Sequence, residues 1–205
     1  MFKISLLIAC IGHVLCGVCD CLLSYSPGGR LDLKAALKDP DKMRSVFADF
    51  PLRWSLISIL LGVYAITAFG FGYIELSRWM EGFSKTASVI MYISALVFLI
   101  SIVVHHVVCG LVEWLYVRLE RTDEARLVAL EFQKKTIATM IVGYVGLATF
   151  VITLFVMVVS GKTNLPQWAC VLNTLPIMLL LLITKVPAKG NIAGAIMYLG
   201  LFILL

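Results

Sequence analysis

The chain contains few charged residues. Of its 205 residues, 14% are charged and 61% are hydrophobic. A soluble globular domain carries about 25% charged residues. The mean hydropathy of +1.00 is likewise that of a strongly apolar chain. The composition therefore excludes a water-soluble globule of this size. The polar connecting segments are too short to fold alone, so we predict a single integral membrane domain.

The apolar segments also lack the alternating polarity that marks a transmembrane β-barrel, whose strands alternate over about ten residues. Residues 137–160, for example, are almost uniformly apolar. Because lipid cannot hydrogen-bond to the backbone, a membrane span must be an α-helix or part of a closed β-barrel, and the helix is the form that fits these segments. About 20 apolar residues cross a bilayer as one helix. We predict an all-α bundle of about six transmembrane helices, with spans near 4–23, 56–75, 87–108, 137–159, 169–184 and 192–205. A cleaved signal peptide is the alternative for the first segment, but its apolar run continues well past Cys10, which favours an uncleaved span.

Basic residues are concentrated in the loops that follow the first, third and fifth predicted spans. The positive-inside rule places these loops in the cytoplasm and both termini on the non-cytoplasmic side, in a bacterial inner membrane or a eukaryotic cellular membrane. The net charge of +5 comes from basic loops that set the orientation of the chain in the membrane, and the chain has no nucleic-acid-binding pattern. We therefore expect membrane lipids and no nucleic acid as partners. Asp39 and Pro40 predict the start of a short amphipathic helix near 40–50. That helix lies either in the membrane interface or under the bundle.

Ionisable residues within spans are rare and usually functional. The first span carries His13, Cys16 and Asp20 at spacings of three and four, which places them on one helical stripe. The third span carries His105, His106 and Glu113. With a rise of about 1.5 Å per residue, Asp20 and His105 lie at nearly the same depth. We therefore predict a catalytic cluster of Asp20, His105, His106 and Glu113.

Other polar or small residues are predicted to complete a ligand-binding site around this cluster. His13 and Cys16 share the stripe of Asp20, and Asn191 opens the sixth span on the same, cytoplasmic side. Gly28 and Gly29 form a turn just after the first span. Such a turn lets backbone approach a ligand closely, and so either lines a pocket mouth or simply ends the helix.

These residue types allow several chemistries. Imidazole nitrogen and carboxylate oxygen suit a Zn²⁺ or Fe ion, for which His105 and Asp20 are the predicted ligands, although adjacent His105 and His106 point about 100° apart on a helix. Haem held by His13 and one of these two histidines is a weaker alternative. Three functions follow: a site that binds or processes a small lipid-like or amphiphilic ligand near the cytoplasmic leaflet, a small proton-linked transporter or channel, or a structural subunit without chemistry.

Overall fold

The computed structural model describes residues 1–31 and 39–205, and the described chain is almost entirely helical, as the composition predicts. The short antiparallel strands β1 (Tyr25–Ser26) and β2 (Gly29–Arg30) form a hairpin after the first helix. A 3-10 helix covers Gln167–Leu172. The α-helices are α1 (Phe2–Ser24), α2 (Pro40–Phe47), α3 (Leu52–Glu81), α4 (Lys85–Arg118), α5 (Asp123–Thr136), α6 (Ala138–Val159), α7 (Thr174–Leu182) and α8 (Lys189–Leu204).

Within the described residues, four segments are long and apolar enough to cross a membrane: α1, α3, α4 and the stretch formed by α5 with α6. They match the first four predicted spans and make the chain a multi-pass membrane protein. α1 packs along α3, α3 along α4, and α4 along α6. The rings of Phe2 and Trp79 stack at one end of the bundle, which we call the Phe2 end. The hairpin, α2 and α5 lie at the other, the Arg30 end.

The fifth predicted span is broken near its start, at Asn173. Asn173 has extended backbone, and its side-chain oxygen accepts the Leu175 N–H at 2.8 Å, which caps α7. Its Nδ2 donates to the carbonyl of Val151 at 3.0 Å. An asparagine side chain that bonds nearby backbone interrupts a helix in this way. The nine-residue α7 and the 16-residue α8 are too short to join the four long segments, so the predicted count of six exceeds the four that length and composition support.

The half of the bundle nearest the Phe2 end is filled by apolar side chains. Each of Leu6, Met80, Met91, Leu154 and Leu201 is at most 3% exposed. Aromatic rings close this core towards the middle of the bundle, where they contact one another: Phe69, Tyr73, Phe98, Phe150 and Tyr198. A solid core on one side leaves the polar residues together on the other.

Helix α2 packs against the Arg30 end of the bundle. Asp39 accepts the N–H groups of Asp41 and Lys42 and so caps the helix. The buried face of α2 meets residues of α4 and α5 in a second small core: Met43, Val46, Phe47, Val112, Tyr116, Ala125 and Leu130. Lys34 and Lys38 of the predicted basic loop lie outside the described residues.

Candidate functional site

A cavity of about 500 Å³ occupies the half of the bundle nearest the Arg30 end. This volume lies within the range of about 300–1,000 Å³ typical of small-molecule sites. The cavity is bounded by α1 and by α3 to α8, with Arg30 and Lys189 at its end nearest the loops. The predicted polar residues that line it are His13, Cys16, Asp20, His105, His106, Glu113 and Asn191.

Asn191, in the first turn of α8, joins two residues of α1. Its Nδ2 donates to Asp20 Oδ2 at 2.7 Å, and its Oδ1 accepts from His13 Nδ1 at 3.0 Å. The His13 ring stacks on Phe69 with centroids 4.2 Å apart. Gly194 makes room for that ring, because a Cβ there would lie 2.5 Å from it. The start of α8 is thus fixed against the polar stripe of α1.

His106 approaches Asp20 from α4. Its Nε2 lies 3.0 Å from the carbonyl oxygen of Ser58 and donates to it, since a carbonyl only accepts. This bond turns Nδ1 towards Asp20 Oδ1, at 3.5 Å. The Ser58 hydroxyl in turn donates to the carbonyl of Cys19 at 3.0 Å. The orientation of the imidazole is therefore set by α3 and not by the cavity alone.

His105 lines the same cavity but bonds elsewhere. Its Nδ1 lies 3.3 Å from Thr139 Oγ1, and its Nε2 lies 3.5 Å from Cys109 Sγ. The Thr139 hydroxyl donates to the carbonyl of Thr136 at 2.8 Å, so it accepts from His105. Both ring nitrogens of His105 are engaged within α4 and α6. The residue that faces Asp20 is thus His106, in place of the predicted metal ligand His105.

Two buried polar atoms on the cavity wall have no hydrogen-bond partner in the described part of the chain: Glu113 Oε2 and His13 Nε2. Glu113 is 6% exposed and His13 is 3% exposed. Buried polar groups in native proteins are nearly always paired. Both side chains line the cavity, but the two unpaired atoms themselves are buried against neighbouring residues.

The Gly28-Gly29 turn lies beside the cavity and not on its wall. A Cβ on Gly28 would lie 2.5 Å from the carbonyl of Ser45, so this glycine allows close packing on α2. Gly29 has φ of +122° and is exposed, which fits its place in a tight hairpin. The residues of this loop that line the cavity are the next two, Arg30 and Leu31.

The predicted haem arrangement does not fit these contacts. The His13 ring is held between Phe69 and Gly194, and the ring nitrogens of His106 face Ser58 and Asp20. Neither imidazole is free to face the other across a porphyrin.

Sequence reasoning missed several lining residues. Gln133, Tyr144 and Met178 line the cavity from α5, α6 and α7. Ser58, which orients His106, is a polar residue in an apolar span, and that signal was present in the sequence. Nothing in the sequence around Gln133, Tyr144 or Met178 marks them as site residues, because only the packing of the helices brings them to the cavity.

A family model matches residues 1–204 of the chain. The chain belongs to the family of unknown function DUF6796. No curated protein and no solved structure matches it. The family match includes every residue that lines the cavity, so the site is part of the DUF6796 domain itself.

Asn191→Leu tests the bridge between α8 and α1. Leucine keeps side-chain bulk but leaves His13 Nδ1 and Asp20 Oδ2 without the amide, and each buried group that loses its partner costs about 1–3 kcal/mol. We expect a lower unfolding temperature of the purified protein in detergent, measured by intrinsic fluorescence. Asn164→Leu, at an exposed loop position, is the control. Equal unfolding temperatures for the two variants would contradict the bridge.

Proposed function

We propose that this protein binds a small amphiphilic ligand in the cavity at the Arg30 end. The observation that carries the proposal is the cavity itself, about 500 Å³ in volume and lined by titratable groups from α1 and α4. The polar side chains of Asp20, His105 and Glu113 on its wall favour a polar ligand group. Ionisable groups placed inside a membrane bundle are expensive, which favours a functional over a packing role.

The ligand's apolar part is proposed to leave the cavity between α6 and α7. Tyr144 on α6 and Met178 on α7 both line the cavity. Tyr144 is also 46% exposed and Met178 partly exposed, so this wall faces the outside of the bundle as well as its interior. In a membrane the outside is lipid. A single-chain lipid can then place its polar head against the buried cluster and its chain in the bilayer.

We propose six passes in total, with the Arg30 end in the cytoplasm and both termini on the other side. The 3-10 helix and α7 would form a broken fifth pass of about 25 Å, from rises of about 2.0 and 1.5 Å per residue, and α8 a sixth of about 24 Å. Discontinuous helices are tolerated in membranes where they line a cavity. The basic side chains at the Arg30 end support this orientation: Arg30, Arg53, Arg118, Arg121, Lys134, Lys185 and Lys189.

A proton-linked transporter is the second candidate, favoured by the connected series His13, Asn191, Asp20 and His106. Transport needs a route to the opposite side. The half nearest the Phe2 end is filled by the apolar core, and Asn173 is buried and bonded to Val151 rather than lining the cavity. This packing supports a site open at one end, and therefore binding or processing of a ligand.

Gly190→Trp tests the binding site directly. Gly190 lines the cavity, and a Cβ there would meet no atom within 4 Å, so the indole can enter the cavity without backbone strain. We expect photolabelling of the purified protein by a lysophospholipid with a diazirine in its acyl chain to fall roughly tenfold, equivalent to ~1.4 kcal/mol of binding free energy. Labelled peptides in the parent protein are expected to contain Tyr144 or Met178.

Gly82→Trp is the matched control. Gly82 is exposed at the Phe2 end, where a Cβ meets only the carbonyl of Trp79 at 3.6 Å. Its labelling should equal that of the parent protein. If Gly190→Trp and Gly82→Trp label equally well, the cavity is not where the lipid binds.

A further inference from the structure

We propose that Cys16, Asp20 and His106 bind one divalent transition-metal ion of the Zn²⁺ type on the wall of the cavity. One ligand atom from each side chain lies within 4.8 Å of the other two. Cys16 and Asp20 are one turn apart on α1, as ligand pairs at i and i+4 are in helical zinc sites. His106 completes the set from α4, whereas the sequence pattern pointed to His105.

The separation of the nitrogen and oxygen ligands fits an ion between them. A tetrahedral Zn²⁺ with bonds of about 2.0–2.1 Å holds nitrogen and oxygen ligands about 3.3 Å apart. His106 Nδ1 and Asp20 Oδ1 are 3.5 Å apart, so a small closure brings them to coordination distance. Two hydrogen-bond acceptors at this separation are repulsive unless a proton or a cation lies between them.

His106 and Asp20 have the supporting hydrogen bonds that metal ligands usually have. A ligating histidine almost always donates its other ring N–H to a carbonyl, carboxylate or water, and His106 Nε2 donates to the Ser58 carbonyl. A ligating carboxylate is itself hydrogen-bonded, and Asp20 Oδ2 accepts from Asn191. Both bonds leave His106 Nδ1 and Asp20 Oδ1 without another hydrogen-bond partner among the described residues. Hydrogen bonds from α3 and α8 therefore orient ligands from α1 and α4.

The ligand chemistry also matches. Thiolate, imidazole and carboxylate are the three protein ligand types of Zn²⁺. Cys16 and His106 are 4% and 6% exposed, and a cation offsets the charge of a thiolate that is held out of water. Three protein ligands with a fourth position open to a cavity are typical of catalytic rather than structural zinc. When bound, such an ion polarises a carbonyl or a water molecule.

This inference rests on the proposed function in one respect, since it assigns the polar end of the proposed ligand site to a metal. Metal binding itself is measured without any lipid. The protein is stripped with a chelator in detergent and titrated with Co²⁺, a spectroscopic substitute for Zn²⁺. We expect a near-ultraviolet thiolate-to-cobalt absorption band that saturates at one ion per chain and disappears when Zn²⁺ is added.

Variants on α1 and α4 assign the ligands. Cys16→Ser should abolish the thiolate band, while Cys19→Ser, a buried thiol on the same helix that does not line the cavity, should leave it unchanged. Asp20→Asn and His106→Gln should weaken Co²⁺ binding by roughly a hundredfold, because a ligand loss costs at least as much as the 10–100-fold loss of a supporting hydrogen bond. A band that survives Cys16→Ser, or no saturable band in the parent protein, overturns the proposal.

X-ray absorption of the Zn²⁺-loaded parent protein keeps the test decisive if Cys16→Ser does not fold. One sulfur at about 2.3 Å with nitrogen and oxygen at about 2.0 Å is expected. A coordination shell without sulfur contradicts the site. Lysophospholipid photolabelling of the protein with and without Zn²⁺ separates the two proposals: labelling of a protein that binds no metal refutes only the metal site, and metal binding without labelling of the Zn²⁺-loaded protein refutes only the lipid site.

Discussion

Gly12→Ala is expected to lower the free energy of unfolding by about 3 kcal/mol, at the upper end of the usual range for overpacking. A Cβ on Gly12 would lie 2.6 Å from the backbone nitrogen of Phe69 and 2.8 Å from the carbonyl of Ala65. Backbone atoms cannot rotate away as a side chain can. α1 must therefore move away from α3, and the dense packing on which membrane helices depend is lost along this contact.

Gly17→Ala is the matched control on the same helix. Its Cβ would lie 3.5 Å from the nearest atom, Cβ of Asn191, which is an ordinary contact. Alanine gains up to about 1 kcal/mol of helix propensity over glycine at both positions, so Gly17→Ala should be neutral or stabilising. The measurement is unfolding in mixed micelles of detergent and SDS. Equal stability of the two variants would mean that α1 and α3 do not pack this closely.

Gly62→Ala is expected to destabilise the protein by about 1–3 kcal/mol and to displace His106. The new Cβ would lie 2.1 Å from His106 Nε2 and 2.5 Å from its Cδ2. The ring cannot move without losing its bonds to Ser58 and its position against Asp20. Gly190→Ala, whose Cβ would meet nothing within 4 Å, controls for the change from glycine to alanine in a helix.

A double-mutant cycle separates this clash from any general effect on α3. In a His106→Ala background the space taken by the ring is empty, so Gly62→Ala should become neutral or stabilising. The coupling energy between contacting residues in such cycles is about 0.5–3 kcal/mol. Strictly additive effects of the two substitutions would show that Gly62 does not make room for the imidazole.

Much of this arrangement could be predicted from the sequence, because it depends on the helical repeat and on the length of the apolar runs. The four long spans follow from runs of apolar residues, and the shared face of His13, Cys16 and Asp20 follows from the helical repeat. The match in depth between Asp20 and His105 follows from the rise per residue, and the direction of the sixth span places Asn191 on the same side. These properties belong to single helices and need no knowledge of their neighbours.

The rest depends on how helices pack. Whether His105 or His106 faces Asp20 is decided by the rotation of α4 about its axis, and contacts with other helices set that rotation. Gly62 on α3 admits the His106 ring, while Gly146 on α6 would place a Cβ 2.8 Å from the α4 backbone. The break at Asn173 likewise needs the Val151 carbonyl on α6 as its partner. Neither contact is visible in one sequence.

The division of the fifth pass at Asn173 has a mechanical consequence. α7 is a separate helix of nine residues, and its outer face is exposed, with Leu180 69% exposed. Lys189 Nζ holds its far end by bonds to the carbonyls of Leu182 and Thr184, at 3.3 and 2.7 Å. α7 is therefore joined to α8 at both of its ends, by Lys189 at one and by the bond from the Thr174 hydroxyl to Met197 at the other, while the extended backbone at Asn173 separates it from the 3-10 helix.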